Sequence, residues 1–146
     1  MDYLRLKTPA FAALTSLTLV SLHIASASAA PNPAPNALLR CQVAYAGTTH
    51  TLEARPVADP YTVPSVDIGG RFLFKPVVVG TANRIDYIKL YAYLDASRQP
   101  VLIQVAKYLP PFKTGDTPYP LTGQQYLYAG PVERELSYHC TLQGVK

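Results

Sequence analysis

Apolar and polar residues alternate with a period of two through most of the chain beyond residue 37. This spacing is typical of β-strands, because successive side chains of a strand point to opposite faces. Helix signals are scarce, since proline and glycine recur and no long segment carries an apolar stripe at i, i+3 and i+4. The pattern predicts seven strands: Leu38 to Ala46, Thr49 to Arg55, Arg71 to Val79, Arg84 to Asp95, Val101 to Leu109, Gln124 to Ala129 and Glu133 to Leu142.

Turn residues separate these predicted strands. Gly47 marks a hairpin between the first two strands, and "DASRQP" and "AGP" mark later turns. Two longer connections, residues 56–70 and 110–123, are rich in proline and glycine. Long loops of this kind either carry binding sites on a rigid scaffold or simply cross between sheets, and the sequence leaves both interpretations open.

Residues 1–29 have the layout of a secretory signal peptide. Arg5 and Lys7 precede an apolar run from Phe11 to about Ala25, and the small residues "SASAA" follow. The run is interrupted by polar residues and is shorter than the roughly 20 strongly apolar residues that a spanning helix needs. We therefore expect cleavage after Ala29, export to the periplasm or the exterior, and no stable membrane insertion afterwards. An uncleaved membrane anchor is the alternative.

Residues 30–37 follow the predicted cleavage site and begin with "APNPAPN". Proline at alternate positions removes amide donors and holds the backbone extended, which predicts a short disordered leader. Residues 38–146 have the usual length of one domain. We expect them to form a single β-sandwich domain.

Charge is modest once the signal peptide is removed. Of the 13 basic and nine acidic residues, Arg5, Lys7 and Asp2 fall within residues 1–29, so 11 and 8 remain and the formal charge is +3. The basic residues are scattered and form no stripe that would follow a phosphate backbone. Nucleic acid is therefore not an expected partner.

The only two cysteines, Cys41 and Cys140, fall in the first and last predicted strands. Each shares a strand face with large apolar residues, so both side chains are predicted to point towards the core. An even cysteine count in an exported protein favours a structural disulfide. A catalytic redox pair would more often form a close C-x-x-C unit.

Catalytic and metal-binding signals are weak. Beyond the signal peptide the histidines are His50 and His139, no G-x-S-x-G motif occurs, and Gly69 and Gly70 lack the spacing of a phosphate-binding loop. We expect no enzyme activity, no cofactor and no metal site. A hydrolase-type enzyme using loop acids and a histidine is the alternative. A His-based metal-binding protein is a less favoured alternative, because strand parity places the two histidines on different sides of a sheet.

The segment "YIKLYAYLD", residues 87–95, places tyrosine or lysine at every second position. Tyrosine combines a large apolar ring with a hydroxyl that can stay in water, which suits a half-exposed contact surface for a protein or a saccharide. The alternatives are an ordinary exposed sheet face or an interior strand, since tyrosine is also a favoured strand residue. The candidate binding surface comprises Tyr87, Lys89, Tyr91, Tyr93, Gln104 and Tyr108.

In strand count, and in having a bridge between strands, the chain resembles immunoglobulin-like sandwiches. It departs from them because it has no tryptophan and because its bridge joins the first and last strands. The resemblance implies a fold class only, namely an all-β, small immunoglobulin-like sandwich of about seven antiparallel strands with one disulfide. The sequence as a whole predicts an exported, non-enzymatic binding or interaction module.

Overall fold

The computed structural model describes residues 37–81 and 84–146, which fold into two β-sheets. All seven predicted strands are present, with ends within two residues of those expected. Three further strands are only two or three residues long, too short to show any periodicity. The strands are β1 Leu38–Tyr45, β2 Thr48–Ala54, β3 Pro56–Val57, β4 Val66–Ile68, β5 Phe72–Thr81, β6 Arg84–Leu94, β7 Val101–Tyr108, β8 Tyr119–Pro120, β9 Gln125–Ala129 and β10 Arg134–Gln143.

Sheet 1 contains the first and last strands of the described chain. Its order is β2-β1-β10, and the far side of β10 pairs with β9 along one half and β8 along the other. Sheet 2 has the order β5-β6-β7, and the other side of β5 pairs with β3 and β4. The pair β3–β5 is parallel, whereas the strands in the other pairs are antiparallel.

Each long connection has a definite structure. Residues 56–70 contain β3, a short 3-10 helix Pro60–Thr62 and β4, all on the edge of sheet 2. Residues 110–123 carry the chain from β7 of sheet 2 back to β8 of sheet 1. The first connection is thus built onto the sheet, and the second is a crossover.

The core lies between the two sheets and is formed by the inward faces of their central strands. Phe74 of sheet 2 and Tyr138 of sheet 1 meet there with ring centroids 4.9 Å apart. Burying such aromatic and aliphatic side chains is the main stabilising contribution. The fully buried members of the cluster include Leu39, Val43, Ile68, Phe72, Phe74, Ile88, Leu136 and Leu142.

The predicted disulfide between Cys41 and Cys140 is confirmed. The two residues are directly opposite one another on β1 and β10, with both side chains buried and an S–S distance of 2.03 Å. The bond therefore lies within one sheet, whereas the immunoglobulin bond connects two sheets. What the structure establishes is an all-β, two-sheet sandwich with one disulfide.

The N-terminal predictions fall mostly beyond the described residues. The predicted signal peptide, residues 1–29, and residues 30–36 of the predicted leader lie outside them. Ala37, the last residue assigned to the leader, is buried in the core cluster. Among the residues that the structure describes, no helix is long and apolar enough to cross a membrane.

Candidate functional site on the outer face of sheet 2

The tyrosine row of β6 lies on the outer face of sheet 2. Ile88 and Leu90 alternate with it and are buried in the core. Tyr87, Tyr91 and Tyr93 are each half-buried on the side facing away from sheet 1. The row is therefore neither an interior layer nor a fully exposed one.

The predicted position of Gln104 and Tyr108 beside this row is wrong. Gln104 pairs with Ala92 and Tyr108 pairs with Ile88, and both of these β6 residues face the core. Paired residues of an antiparallel ladder share a face. Gln104 and Tyr108 therefore point inwards, on the opposite side of the sheet from the tyrosines.

The error has a physical cause in the position of β7. This strand is an edge of sheet 2, so its apolar residues can meet water, and its inward-facing Gln104 accepts a hydrogen bond from the buried Tyr138 hydroxyl. Val101 and Val105 are 47% and 45% exposed, although their alternation suggested a core face. A register shift next to Ala92 also disturbs the simple two-residue period.

Two lysines from the neighbouring strands lie on the outer face with the tyrosine row, Lys107 on the β7 side, where Gln104 and Tyr108 were predicted, and Lys75 on the opposite, β5 side. Lys107 of β7 pairs with Lys89, and Lys75 of β5 pairs with Tyr91. Sequence reasoning missed both because neither lies within the tyrosine-rich segment. We call the resulting surface the Tyr–Lys face; it consists of Lys75, Tyr87, Lys89, Tyr91, Tyr93 and Lys107.

The lysines of this face lie close to its aromatic rings. The Lys89 ammonium is 5.4 Å from the ring centroid of Tyr87 and 5.9 Å from that of Tyr91. The Lys107 ammonium is 5.4 Å from the same Tyr87 ring. These distances are within the range of cation–π attraction, which contributes about 0.5–1 kcal/mol at exposed sites. The ammonium groups of Lys89 and Lys107 therefore both lie near the Tyr87 ring.

Tyr91 and Tyr93 form a second aromatic pair. Their rings are nearly parallel, at 12°, with centroids 6.2 Å apart. Burial, and to a smaller extent the neighbouring Tyr91, raise the pKa of Tyr93 above its usual value. The Tyr93 hydroxyl is protonated at neutral pH, as that of an ordinary tyrosine is, and can both donate and accept hydrogen bonds.

A short wall makes one end of the Tyr–Lys face concave. Pro60 and Tyr61 of the 3-10 helix stand beside the face and, with Lys75 and the β6 row, enclose a pocket of about 270 Å³. Asp59 caps the helix, because its Oδ1 accepts a 2.9 Å hydrogen bond from the amide of Tyr61. Tyr61 itself is 91% exposed. The first long connection therefore contributes to the site.

Among the described residues, the three lysines of the Tyr–Lys face form no ion pair with a carboxylate. Within residues 37–81 and 84–146, the ion pairs are Arg40 with Glu53 and Arg84 with Asp86. Neither pair involves Lys75, Lys89 or Lys107. The face thus carries three lysine charges outside any described ion pair, with the exposed carboxylate of Asp67 on the same side of the sheet.

A second cavity, of about 440 Å³, lies between the edge strand β2 and the first long connection. Its lining is mainly aliphatic, with Leu52 on one side and Val63 and Val66 on the other, and Val78 contributes from the core. Sequence patterns gave no sign of this cavity, because its walls come from segments that are far apart in the chain.

The two histidines lie on different faces of sheet 1. His139 pairs with exposed Gln42 and lies 3.1 Å, through Nδ1, from Oε1 of Gln124. His50 pairs with core-facing Val43. No group of three or more potential metal ligands occurs among the described residues.

Comparison with known proteins identifies no relative: no protein family, no curated protein and no solved structure matches this chain. The buried disulfide is compatible with an oxidising, exported location.

Proposed function

We propose that this protein is an exported, disulfide-stabilised binding module that uses the Tyr–Lys face to hold a protein or saccharide partner. It acts in the periplasm or outside the cell and performs no catalysis. An immunoglobulin-like class for the sandwich is part of the same proposal, although the disulfide within one sheet weakens it.

The observation that carries the proposal is the half-buried tyrosine row with unneutralised lysines between its rings. Tyrosine supplies contact area with little loss of conformational freedom, and it is enriched at recognition surfaces. The wall formed by Pro60 and Tyr61 makes part of this surface concave. A stabilising role alone would require neither the concave shape nor the concentrated charge.

A binding role rather than catalysis is supported by the groups that line the pocket. Its polar side-chain atoms are tyrosine hydroxyls and lysine ammonium groups, and none of the described residues that line it carries a carboxylate or an imidazole. General acid–base catalysis works best with a group whose pKa is near the working pH. The raised pKa of Tyr93 moves that hydroxyl further from neutrality.

Capture of exported material from the native host tests the proposal. Wild-type protein and Tyr91→Ala are immobilised, and Tyr126→Ala is the control because Tyr126 is a 56% exposed tyrosine of sheet 1. Truncating a central tyrosine of an interface commonly costs about 2 kcal/mol, which is roughly thirty-fold in affinity. We expect Tyr91→Ala to lose its partner and Tyr126→Ala to retain it.

The thermal melt of the same variants separates binding from stability. A Tyr91→Ala protein that melts well below the wild type and still captures the same material would show that the row only stabilises the sheet. Equal capture by all three proteins, with equal melting temperatures, would also refute the proposed binding role.

A further inference from the structure

The charge of the Tyr–Lys face points to an anionic ligand. Lys75, Lys89 and Lys107 converge on one side of sheet 2, and the described ion pairs lie elsewhere. Like charges gathered on one surface raise the free energy of the unbound protein, and an anionic ligand relieves this repulsion. Asp67 of β4 lies on the same outer face, because it pairs with Leu73 and Leu73 pairs with Tyr93, but its carboxylate accepts from the amide of Gly70 and forms none of the described ion pairs with these lysines.

The position of the face in the sheet disfavours an extended peptide. Peptides that add to a sheet bind through main-chain hydrogen bonds at an open edge. The tyrosine row lies on β6, whose backbone is paired with β5 on one side and β7 on the other. The backbone of β6 thus has no free ladder to offer, and a peptide added at the open edge of β7 would lie beside the tyrosine row rather than over it. Lysine is also depleted at protein–protein interfaces, whereas this face is rich in it.

The size and chemistry of the pocket suit a sugar unit. Its volume of about 270 Å³ is near the lower end of small-molecule sites, so it accommodates one small unit rather than a large ligand. Tyrosine rings can cover the apolar side of a sugar ring while their hydroxyls bond to its hydroxyl groups. A carboxylate fixed to a sugar ring also loses less conformational entropy on binding than one at the end of a glutamate side chain.

We infer that the Tyr–Lys face binds an acidic polysaccharide, with one anionic sugar unit in the pocket beside Tyr61 and the rest of the chain along the tyrosine row. Lys89 and Lys75 hold the acidic group in the pocket, and Lys107 holds that of a neighbouring unit. This inference rests on the proposed binding function and specifies its ligand class.

Calorimetric titration of the full exported protein tests the inference. The probes are polygalacturonate and alginate as acidic polysaccharides, dextran as a neutral polysaccharide and poly-L-glutamate as an acidic peptide. We expect at least one acidic polysaccharide to bind at least tenfold more tightly than dextran and poly-L-glutamate. Added salt should weaken this binding because the lysines are exposed to solvent.

Charge-removal variants locate the site. Lys89→Gln and Lys107→Gln should each weaken polysaccharide binding about tenfold, the loss typical of one charge-assisted hydrogen bond. Lys113→Gln is the matched control, because the Lys113 ammonium also lies over a tyrosine ring, 5.9 Å from the centroid of Tyr119, but away from sheet 2. It should change affinity less than twofold.

Four results would overturn the inference: equal binding of dextran, equal binding of poly-L-glutamate, no binding of either acidic polysaccharide, or an equal loss in Lys113→Gln. Equal binding of dextran would refute the selection for charge, and equal binding of poly-L-glutamate would refute the selection for a sugar. If the acidic polysaccharides fail while Tyr91→Ala still loses a captured partner, the ligand class is wrong and the proposed function stands. If both tests fail, the binding face itself is refuted.

Discussion

The hydroxyl of Tyr138 donates a 2.6 Å hydrogen bond to Oε1 of Gln104, which links sheet 1 to sheet 2 at the boundary of the core. Tyr138 is only 1% exposed, and its ring packs against Phe74. A buried hydroxyl without a partner is costly, so this bond explains why β7 has a polar residue on its inner face.

Replacing Tyr138 with phenylalanine should destabilise the protein by about 1–2 kcal/mol. The substitution keeps the aromatic ring but leaves Oε1 of Gln104 without its donor in a part-buried position. Urea denaturation measures the loss, and Tyr126→Phe, at an exposed position, is the control. Equal stability of Tyr138→Phe and wild type would mean that the bond contributes nothing.

Alkaline pH should weaken the fold through the same residue. Burial, and secondarily the nearby Tyr108, raise the pKa of Tyr138 to about 12 from an ordinary value of 10.0. The folded state therefore holds this proton more tightly than the unfolded state. The resulting stability is fully present below about pH 10 and is lost as pH rises towards 12, with a total of roughly 2–3 kcal/mol.

The contribution of Tyr138 can be isolated by comparing wild type with Tyr138→Phe. Between pH 9 and about pH 11.5 the denaturation midpoint should fall more steeply for wild type, because only wild type has the Tyr138 hydroxyl to ionise. The other tyrosines titrate in both proteins and lower both midpoints alike. Parallel declines would contradict the assigned cause.

Removing the disulfide should lower the free energy of unfolding by about 2–4 kcal/mol. Cys41 and Cys140 are 99 residues apart in sequence, so their bond restricts a large part of the unfolded chain. The double variant Cys41→Ala, Cys140→Ala keeps two small residues at the site and should melt at a lower temperature. Free alkylation of both thiols in native exported protein, without reductant, would contradict the bond.

N-terminal sequencing of the protein from its native host should find Ala30 as the first residue. The expectation rests on the charged, apolar and small-residue segments of residues 1–29. Recovery of intact protein in a membrane fraction, with residues 1–29 attached, would refute cleavage.

Strand positions were predictable because alternation is a local property of the sequence. The same rule placed Cys41 and Cys140 towards the core and assigned the alternating faces of β6. β3 and β8 were not predictable, since two residues cannot show a period. Their pairing depends on partners distant in the chain.

The candidate site was only partly predictable for a related reason. The tyrosines and Lys89 follow one another along β6, whereas Lys75, Lys107 and Tyr61 come from other segments and meet only in the folded sheet. Gln104, on an edge strand, is an exception to the rule that polar residues face outwards. Its inward position depends on a partner 34 residues away, which no local pattern reveals.

Hydroxyl-radical footprinting of tyrosines tests the central claim, that the Tyr–Lys face is the ligand-binding surface, most directly. The full exported protein is labelled with and without exported material from its native host, and modified residues are quantified by mass spectrometry. We predict reduced labelling of Tyr87, Tyr91 and Tyr93, with unchanged labelling of Tyr126 and Tyr128, which are 56% and 61% exposed in sheet 1. Unchanged labelling of the three β6 tyrosines, or protection confined to Tyr126 and Tyr128, would contradict the claim.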